Sequence, residues 1–306
     1  MASERMRAVV ETMRKNKNST PADLDIEQRR KGMELGMQAI VTPDDISVEP
    51  VDANGIPCRW IYAPEARSDR FVIYFHGGGY VMGSLHTHEE LMSRISRHCK
   101  ARVLGVDYRL APEHPYPAAV NDGLLVYEWL LAQNIPAGNI MMGGDSAGGG
   151  LTLATLLAAK NKSISMPAGA ILFSPWTDLT GSGESMITRA EADPMIAGGR
   201  DGLASMASLY HGQTAASDPL VSPLFGDLSL LPPLLIQVGD AEVLLSDSTR
   251  LADYARKHGV RADLQIWDEA PHVFQALPMI PEAKEALEKA GAFFEELIGS
   301  DNTIRE

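Results

Sequence analysis

A chain of 306 residues with 45% hydrophobic and 22% charged side chains can bury a substantial core, as one large α/β domain or two small ones. Its net charge of −13 argues against nucleic acid or an anionic membrane surface as the main partner, because both repel an acidic protein. Two cysteines, Cys58 and Cys99, provide neither a disulfide framework nor metal-ligand spacing. Charged residues interrupt the first 17 positions and no stretch reaches the length of a membrane span, so we expect a cytoplasmic protein.

Residues 3–16 and 26–40 have the periodicity of two amphipathic helices. Between them, Thr20 is suited to cap the second helical segment and Pro21 to open it. We interpret the apolar positions of both segments as packing residues rather than as a lipid-binding face.

From residue 46 onward the pattern changes to short apolar strands. The first two, 46–51 and 56–63, are joined by Asn54-Gly55, a dipeptide suited to a hairpin turn. Six further runs alternate with helical segments, at 71–75, 103–106, 140–142, 170–173, 234–238 and 264–267. This order predicts an α/β fold: a mostly parallel, buried, eight-stranded sheet with helices on both faces, preceded by an antiparallel hairpin.

Residues 180–232 interrupt the alternation with glycines, prolines and one predicted helix at about 200–211. An insertion this long between two strands is typical of a functional segment. With the N-terminal helices, it is expected to form a cap over the carboxyl edge of the sheet, where sites of α/β proteins lie. The predicted division is 1–44 for N-terminal cap helices, 180–216 for the cap insertion, and 45–179 with 217–306 for the catalytic domain.

A strand that turns sharply into a helix surrounds Ser146. Gly144 and Gly148 flank this serine as G-x-S-x-G, after the apolar run 140–142 and before a good helix former. Their missing β-carbons let neighbouring backbone approach while the serine is held in a tight turn. The start of the next helix then favours negative charge beside Ser146. The pattern therefore predicts a nucleophilic serine.

A second motif, His76-Gly77-Gly78-Gly79-Tyr80, directly follows the predicted strand 71–75. Three consecutive glycines leave backbone N–H groups unshielded, as the binding site of a tetrahedral oxyanion requires, and one such donor contributes roughly 3 to 4 kcal/mol in the transition state. A phosphate cradle fits less well, because no Lys-Ser/Thr pair and no G-x-G-x-x-G register appears. We expect His76 to order the loop, and the amide of Ala147 to supply a further donor.

The base and its orienting acid should follow later strands, in the order serine, acid, histidine. Of eight histidines, His272 alone lies in a short loop after a late apolar strand, at the edge where Ser146 is expected. For the acid, Asp240 and Glu242 both follow the strand 234–238, and spacing alone does not separate them. A carboxylate there would hold the imidazole tautomer and stabilise the imidazolium.

Four ordered motifs, spanning about residues 45–298, resemble the hormone-sensitive-lipase family of bacterial esterases within the α/β-hydrolase fold. They are His76-Gly77-Gly78-Gly79, Asp107-Tyr108-Arg109-Leu110-Ala111-Pro112-Glu113, Gly144-Asp145-Ser146-Ala147-Gly148-Gly149 and Asp218-Pro219-Leu220-Val221-Ser222-Pro223.

The resemblance implies an α/β-hydrolase fold with a helical cap, and it implies roles for particular residues. The acid lies three positions after the glycine that ends its strand. Glu242 occupies that position, where the family usually has aspartate, and Asp240 is the second choice. Gly78 and Gly79 would form the oxyanion hole with Ala147, while Arg109 and Glu113 would be buried or paired.

These roles predict a serine carboxylesterase that acts on small short- to medium-chain esters through an acyl-enzyme on Ser146, without metal or organic cofactor. A lactone, a xenobiotic ester or an amide is an alternative substrate. A small-molecule receptor on the same fold is a further alternative, but the presence of His272 at the position of the catalytic base argues against it. The predicted substrate pocket contains Tyr80, Met82, Trp176, Leu203, Leu209, Tyr210, Val273 and Phe274. The resemblance also implies a homodimer through strand 264–267 and the terminal helix 282–298.

Overall fold

The structure, a computed structural model, describes residues 1–17, 24–196 and 199–301. Within them, an eight-stranded sheet has the strand order β1-β2-β4-β3-β5-β6-β7-β8. Pairing is antiparallel between β1 and β2 and between β2 and β4, and parallel from β4 across to β8. The predicted mostly parallel sheet is confirmed. Its strands are β1 (Ser47–Ala53), β2 (Ile56–Tyr62), β3 (Arg67–Phe75), β4 (Ala101–Val106), β5 (Ile140–Asp145), β6 (Gly169–Phe173), β7 (Leu234–Gly239) and β8 (Ala262–Trp267).

The leading hairpin owes its register to its two-residue turn. Asn54 and Gly55 have φ of 56° and 87°, as a type I′ turn requires, and the Gly55 N–H donates to Asp52 Oδ1 (2.7 Å). Ala53 consequently pairs with Ile56. Asn and Gly are the residues that adopt such backbone most readily, which is why the dipeptide predicted the turn.

The helices cover both faces of the sheet, as predicted. Apolar side chains of α4, α5 and α8 join one large core cluster, and those of α3 and α9 join a second cluster on the opposite face. The described helices are α1 (Glu4–Asn16), α2 (Ile26–Met37), α3 (Glu89–Cys99), α4 (Ala118–Ala132), α5 (Ala147–Asn161), α6 (Ser185–Thr188), α7 (Gly199–His211), α8 (Leu245–Lys257) and α9 (Pro281–Asp301). None of them is long and apolar enough to cross a membrane.

The N-terminal helices use caps other than the predicted one. Ser3 accepts from the Met6 amide at the start of α1, and Asp25 forms a capping box with Gln28 at the start of α2. Thr20 and Pro21 lie outside the described residues. Helix α2 ends at Met37 rather than at residue 40, and the chain continues as a turn ahead of Pro43, which cannot extend a helix.

The insertion 180–216 contains α6 and α7, and α7 matches the helix predicted at about 200–211. Gly198 lies outside the described residues. Helix α7 rests on the glycine-rich loop: an added Cβ on Gly79 would lie 2.5 Å from Met206 Sδ. The ring of Tyr210 also stacks on Tyr80, with centroids 3.7 Å apart. The middle of the insertion thus packs over the carboxyl end of β3.

Candidate active site

Four neighbouring parallel strands bring the candidate residues to one edge of the sheet. Ser146 follows β5, and Ser174 follows β6. The loop with Glu242 follows β7, and the loop with His272 follows β8. Since the carboxyl ends of parallel strands meet at the same edge, residues far apart in sequence become neighbours there.

Ser146 occupies a strained turn between β5 and α5. Its φ of 53° and ψ of −120° lie where residues with a side chain rarely occur, and its N–H donates to the Phe173 carbonyl (2.8 Å). A Cβ on Gly148 would clash with the Phe75 carbonyl, so only glycine allows the helix to approach β3 this closely. Ser146 is 9% exposed. The geometry is that of a nucleophile elbow.

The glycine loop presents free amides beside Ser146. Gly77 N–H donates to Asp145 Oδ1 (3.1 Å), whereas no described residue accepts a hydrogen bond from the amides of Gly78, Gly79 or Ala147. Gly78 has a φ of 117°, and a Cβ there would clash with the Met82 carbonyl. Backbone geometry therefore requires glycine at position 78. Three unpaired donors in one place can stabilise a developing negative charge.

Glu242, and not Asp240, contacts His272. The His272 Nδ1–H donates to Glu242 Oε2 (2.7 Å), because a carboxylate offers only acceptors. The other oxygen, Glu242 Oε1, accepts from Gly239 N–H (2.7 Å) and from the Ser174 hydroxyl (2.7 Å). Asp240 instead accepts from the Glu269 amide (2.7 Å). Within the described chain no hydrogen bond joins Ser146 Oγ to His272, and such bonds often tighten only when a substrate is bound.

The buried Glu242–His272 pair shifts the titration of the imidazole. Burial lowers the pKa of His272, but the hydrogen bond and negative charge of Glu242, together with the charges of Asp193 and Asp145, outweigh it, and the pKa lies above its ordinary value of 6.5. The neutral tautomer carries its proton on Nδ1 and leaves Nε2 free to accept one. A histidine in this state is suited to general-base chemistry.

Asp145, between Gly144 and Ser146, holds the glycine loop through hydrogen bonds of its side chain. Its Oδ1 accepts from Gly77 N–H and from the Tyr74 hydroxyl (2.9 Å), and its Oδ2 lies 3.4 Å from His88 Nε2. The fully buried His76 donates from Nδ1 to the Gly77 carbonyl (2.7 Å). Burial, with His88 nearby, lowers the pKa of His76 to about 3, so it stays neutral. The sequence motifs did not predict that Asp145 and His88 pair, since nothing in a motif indicates which side chains meet.

Arg109 and Glu113 make ion pairs, as predicted. Arg109 binds the buried Asp122 (2.6 Å), and Glu113 binds Arg30 of α2 (2.7 Å). The second pair connects the segment after β4 to the N-terminal part of the chain. No group of three or more His, Cys, Asp or Glu side chains that could hold a metal ion occurs among the described residues.

The predicted pocket residues occupy different environments. Tyr80, Trp176 and Tyr210 are fully buried and aromatic, and the backbone amide of Trp176 donates to the Ser146 carbonyl (2.9 Å). Leu203 and Met82 pack in the same cluster, and Val273 is buried next to His272. Leu209 is 38% exposed on α7, and Phe274 belongs to a separate cluster with α1 and Trp267. The rings of the first three pack together as one buried group beside the glycine loop.

Comparison with known proteins relates this chain to hydrolases. A family model described as the α/β hydrolase fold matches residues 72–276. An acetyl-hydrolase of Streptomyces hygroscopicus is 37% identical over 98% of this chain and 99% of its own. An esterase of the bacterial hormone-sensitive lipase family has a TM-score of 0.93 and 43% identity, covering 97% of this chain and 99% of its own. EstE5, whose crystal was soaked with p-nitrophenyl butyrate, has a TM-score of 0.93 and 43% identity, covering 97% of this chain and 100% of its own.

Proposed function

Because the chain belongs to the α/β hydrolase fold family, among the esterases of the bacterial hormone-sensitive lipase family, we propose that Ser146 is the nucleophile through which it hydrolyses short- to medium-chain esters. Its relatives are esterases and acetyl-hydrolases, and it is a carboxylic ester hydrolase like them. One observation carries the proposal. The strained Ser146 stands at the same sheet edge as a hydrogen-bonded Glu242–His272 pair and three unpaired amides.

The proposed reaction has two halves. His272 Nε2 takes the Ser146 hydroxyl proton as Oγ attacks the ester carbonyl, and the amides of Gly78, Gly79 and Ala147 bind the oxyanion. His272 then returns the proton to the leaving alcohol, which leaves an acyl group on Oγ. In the second half, His272 removes a proton from water as the water oxygen attacks the acyl carbon. The acyl–Oγ bond then breaks, His272 gives the proton to Oγ, and the carboxylic acid is released. Glu242 holds the required tautomer and stabilises the imidazolium.

The preference for small acyl groups rests on two kinds of support. Ser146 is only 9% exposed, and the neighbouring glycine loop is closely packed, with Met206 against Gly79 and the ring of Tyr210 stacked on Tyr80. One relative is an acetyl-hydrolase, and a structural neighbour was soaked with a butyrate ester. Together these favour acyl chains of a few carbons.

We expect hydrolysis of p-nitrophenyl esters, from acetate to palmitate, to be fastest for the short acyl chains. The palmitate should react at least about 100-fold more slowly by kcat/KM, because its chain cannot be enclosed in a crowded site. Release of p-nitrophenol measures each rate. A maximum at palmitate would contradict the proposed acyl preference. Complete inactivity toward the series would instead favour a lactone as the substrate, or a receptor function for the protein.

We propose that residues 1–44 and 180–216 form the cap over a catalytic domain of residues 45–179 and 217–306. Contacts of α7 with the glycine loop support this division. The N-terminal part also reaches the insertion, since Lys17 Nζ donates to the Ala190 carbonyl (2.9 Å).

We also propose a cytoplasmic location, because both cysteines are free and buried and so form no disulfide. Fractionation of cells that produce the protein would test the location.

We further propose a homodimer through the edge strand β8 and helix α9. Strand β8 has a neighbour on one side only within the described sheet, and Ile266 on it is 49% exposed. Light scattering at micromolar concentration should give twice the 33.1 kDa of one chain. Ile266→Arg should give single chains, whereas Ile187→Arg, at a 73% exposed position on the cap, should leave the mass unchanged. A wild-type mass of 33.1 kDa would rule out the dimer.

A further inference from the structure

Ser174, the residue directly after β6, connects the loops of the proposed acid and base. Its side chain is completely buried. The hydroxyl donates to Glu242 Oε1 (2.7 Å) and accepts from the Val273 N–H (3.0 Å). One oxygen atom thus bridges the carboxylate that holds His272 and the residue that follows His272 in the chain.

The backbone around this bridge is strained on both sides. Ser174 has a φ of 46° although it precedes Pro175, and the β-branched Val273 has a φ of 49°. Both values lie in the left-handed region, which such residues rarely adopt and which persists where surrounding contacts enforce it. The Ser174 N–H donates to the Gln237 carbonyl of β7 (2.7 Å), and its hydroxyl holds the Val273 amide. The hydrogen bonds of Ser174 therefore stabilise the turn that orients His272.

The same short segment also holds the turn of Ser146. The Phe173 carbonyl accepts from the Ser146 N–H (2.8 Å), and the Trp176 N–H donates to the Ser146 carbonyl (2.9 Å). Residues 173–176 consequently contact the backbone of Ser146, the carboxylate of Glu242 and the loop of His272. A small displacement of this segment would change all three relative positions.

We propose that Ser174 is a positioning residue for ester hydrolysis, whose hydroxyl sets the relative placement of Glu242 and His272. It does not touch substrate and exchanges no proton with it. Its effect is exerted through the orientation of the carboxylate and of the loop that carries the imidazole. This inference rests on the roles proposed above for Glu242 and His272.

Two variants remove the hydroxyl in different ways. Ser174→Ala keeps a Cβ, and Ser174→Gly relieves the cost of the positive φ, so at least the glycine variant should retain the fold. For each, kcat with p-nitrophenyl butyrate should fall roughly 10- to 100-fold, because misplacement of about 1 Å costs this much. KM should change less than about threefold, since the hydroxyl does not contact the ester. Circular dichroism and thermal unfolding give the folded fraction used to normalise kcat.

A double-mutant cycle with Glu242→Gln separates positioning from a general loss of stability. Because Ser174 acts in part through Glu242, its removal in the Glu242→Gln background should lower kcat by a clearly smaller factor than in the wild type, and the remaining effect is that of the Val273 hydrogen bond to the His272 loop. Equally large effects in both backgrounds would overturn the proposal. So would a kcat for both single variants within about twofold of the wild type.

Ser96 provides a matched control. It is fully buried, donates to the Ala101 carbonyl (2.7 Å) and accepts from the Ala63 N–H (2.9 Å), so it makes the same number of bonds at the opposite end of the strands. Ser96→Ala should lower thermal stability while leaving kcat per folded molecule unchanged. Should Glu242→Gln itself retain the wild-type kcat, the proposed acid and the role of Ser174 both fail. A loss at Glu242 with none at Ser174 overturns the Ser174 inference alone.

Discussion

Replacement of Ser146 by alanine is expected to lower kcat/KM for p-nitrophenyl butyrate by roughly 10⁴- to 10⁶-fold. The hydroxyl is the proposed attacking group, so no acyl-enzyme can form without it. The fold should survive, because Ser146 Oγ makes no hydrogen bond within the described chain and alanine keeps the Cβ at this strained position. Stopped-flow and steady-state release of p-nitrophenol measure the loss.

The control and a chemical label make this expectation specific. Ser165→Ala changes an exposed serine outside the site and should retain wild-type kinetics. A sulfonyl fluoride should add one sulfonyl group to the wild-type chain, detected by mass spectrometry, and none to Ser146→Ala. Labelling of the alanine variant, or activity near that of the wild type, would show that another group is the nucleophile.

Replacement of Glu242 by glutamine is expected to lower kcat by roughly 10²- to 10⁴-fold. The amide cannot supply the negative charge that holds the His272 tautomer and stabilises the imidazolium. Asp240→Asn is the matched control, two positions away and on the same loop. Asp240 contacts the Glu269 amide rather than His272, so its kcat should stay within about threefold of the wild type.

The pH profile of kcat/KM tests the same pair independently. His272 must be neutral to accept the proton of Ser146, so activity should fall as the pH drops through the His272 pKa, which lies above 6.5. Glu242→Gln removes the charge that raises this pKa and leaves the burial that lowers it. The acid limb should therefore move to lower pH in Glu242→Gln and stay in place in Asp240→Asn. If the acid limb of the pH profile moves only in Asp240→Asn, then Asp240 is the carboxylate that orients His272.

Local patterns in the sequence determined much of the fold and part of the site. Alternation of apolar strands with helices predicts the sheet, and Asn54-Gly55 predicts the hairpin turn that the structure contains. Gly148 predicts the turn at Ser146, and the run of glycines at 77–79 predicts the loop beside it. Such features depend on residues close together in sequence, whose backbone preferences are intrinsic.

The tertiary structure alone decided which side chains meet. Spacing alone did not separate Asp240 from Glu242; the family resemblance favoured Glu242, and the packing of β7 against β8 is what brings Glu242 to His272. Ser174 carried no motif of its own, yet it bridges segments 68 and 99 residues away along the chain. Hydrogen bonds of this kind depend on how strands are ordered in the sheet, and a parallel sheet brings together ends that the sequence keeps far apart. For that reason the sequence identified the chemistry, while the fold identified the partners that position it.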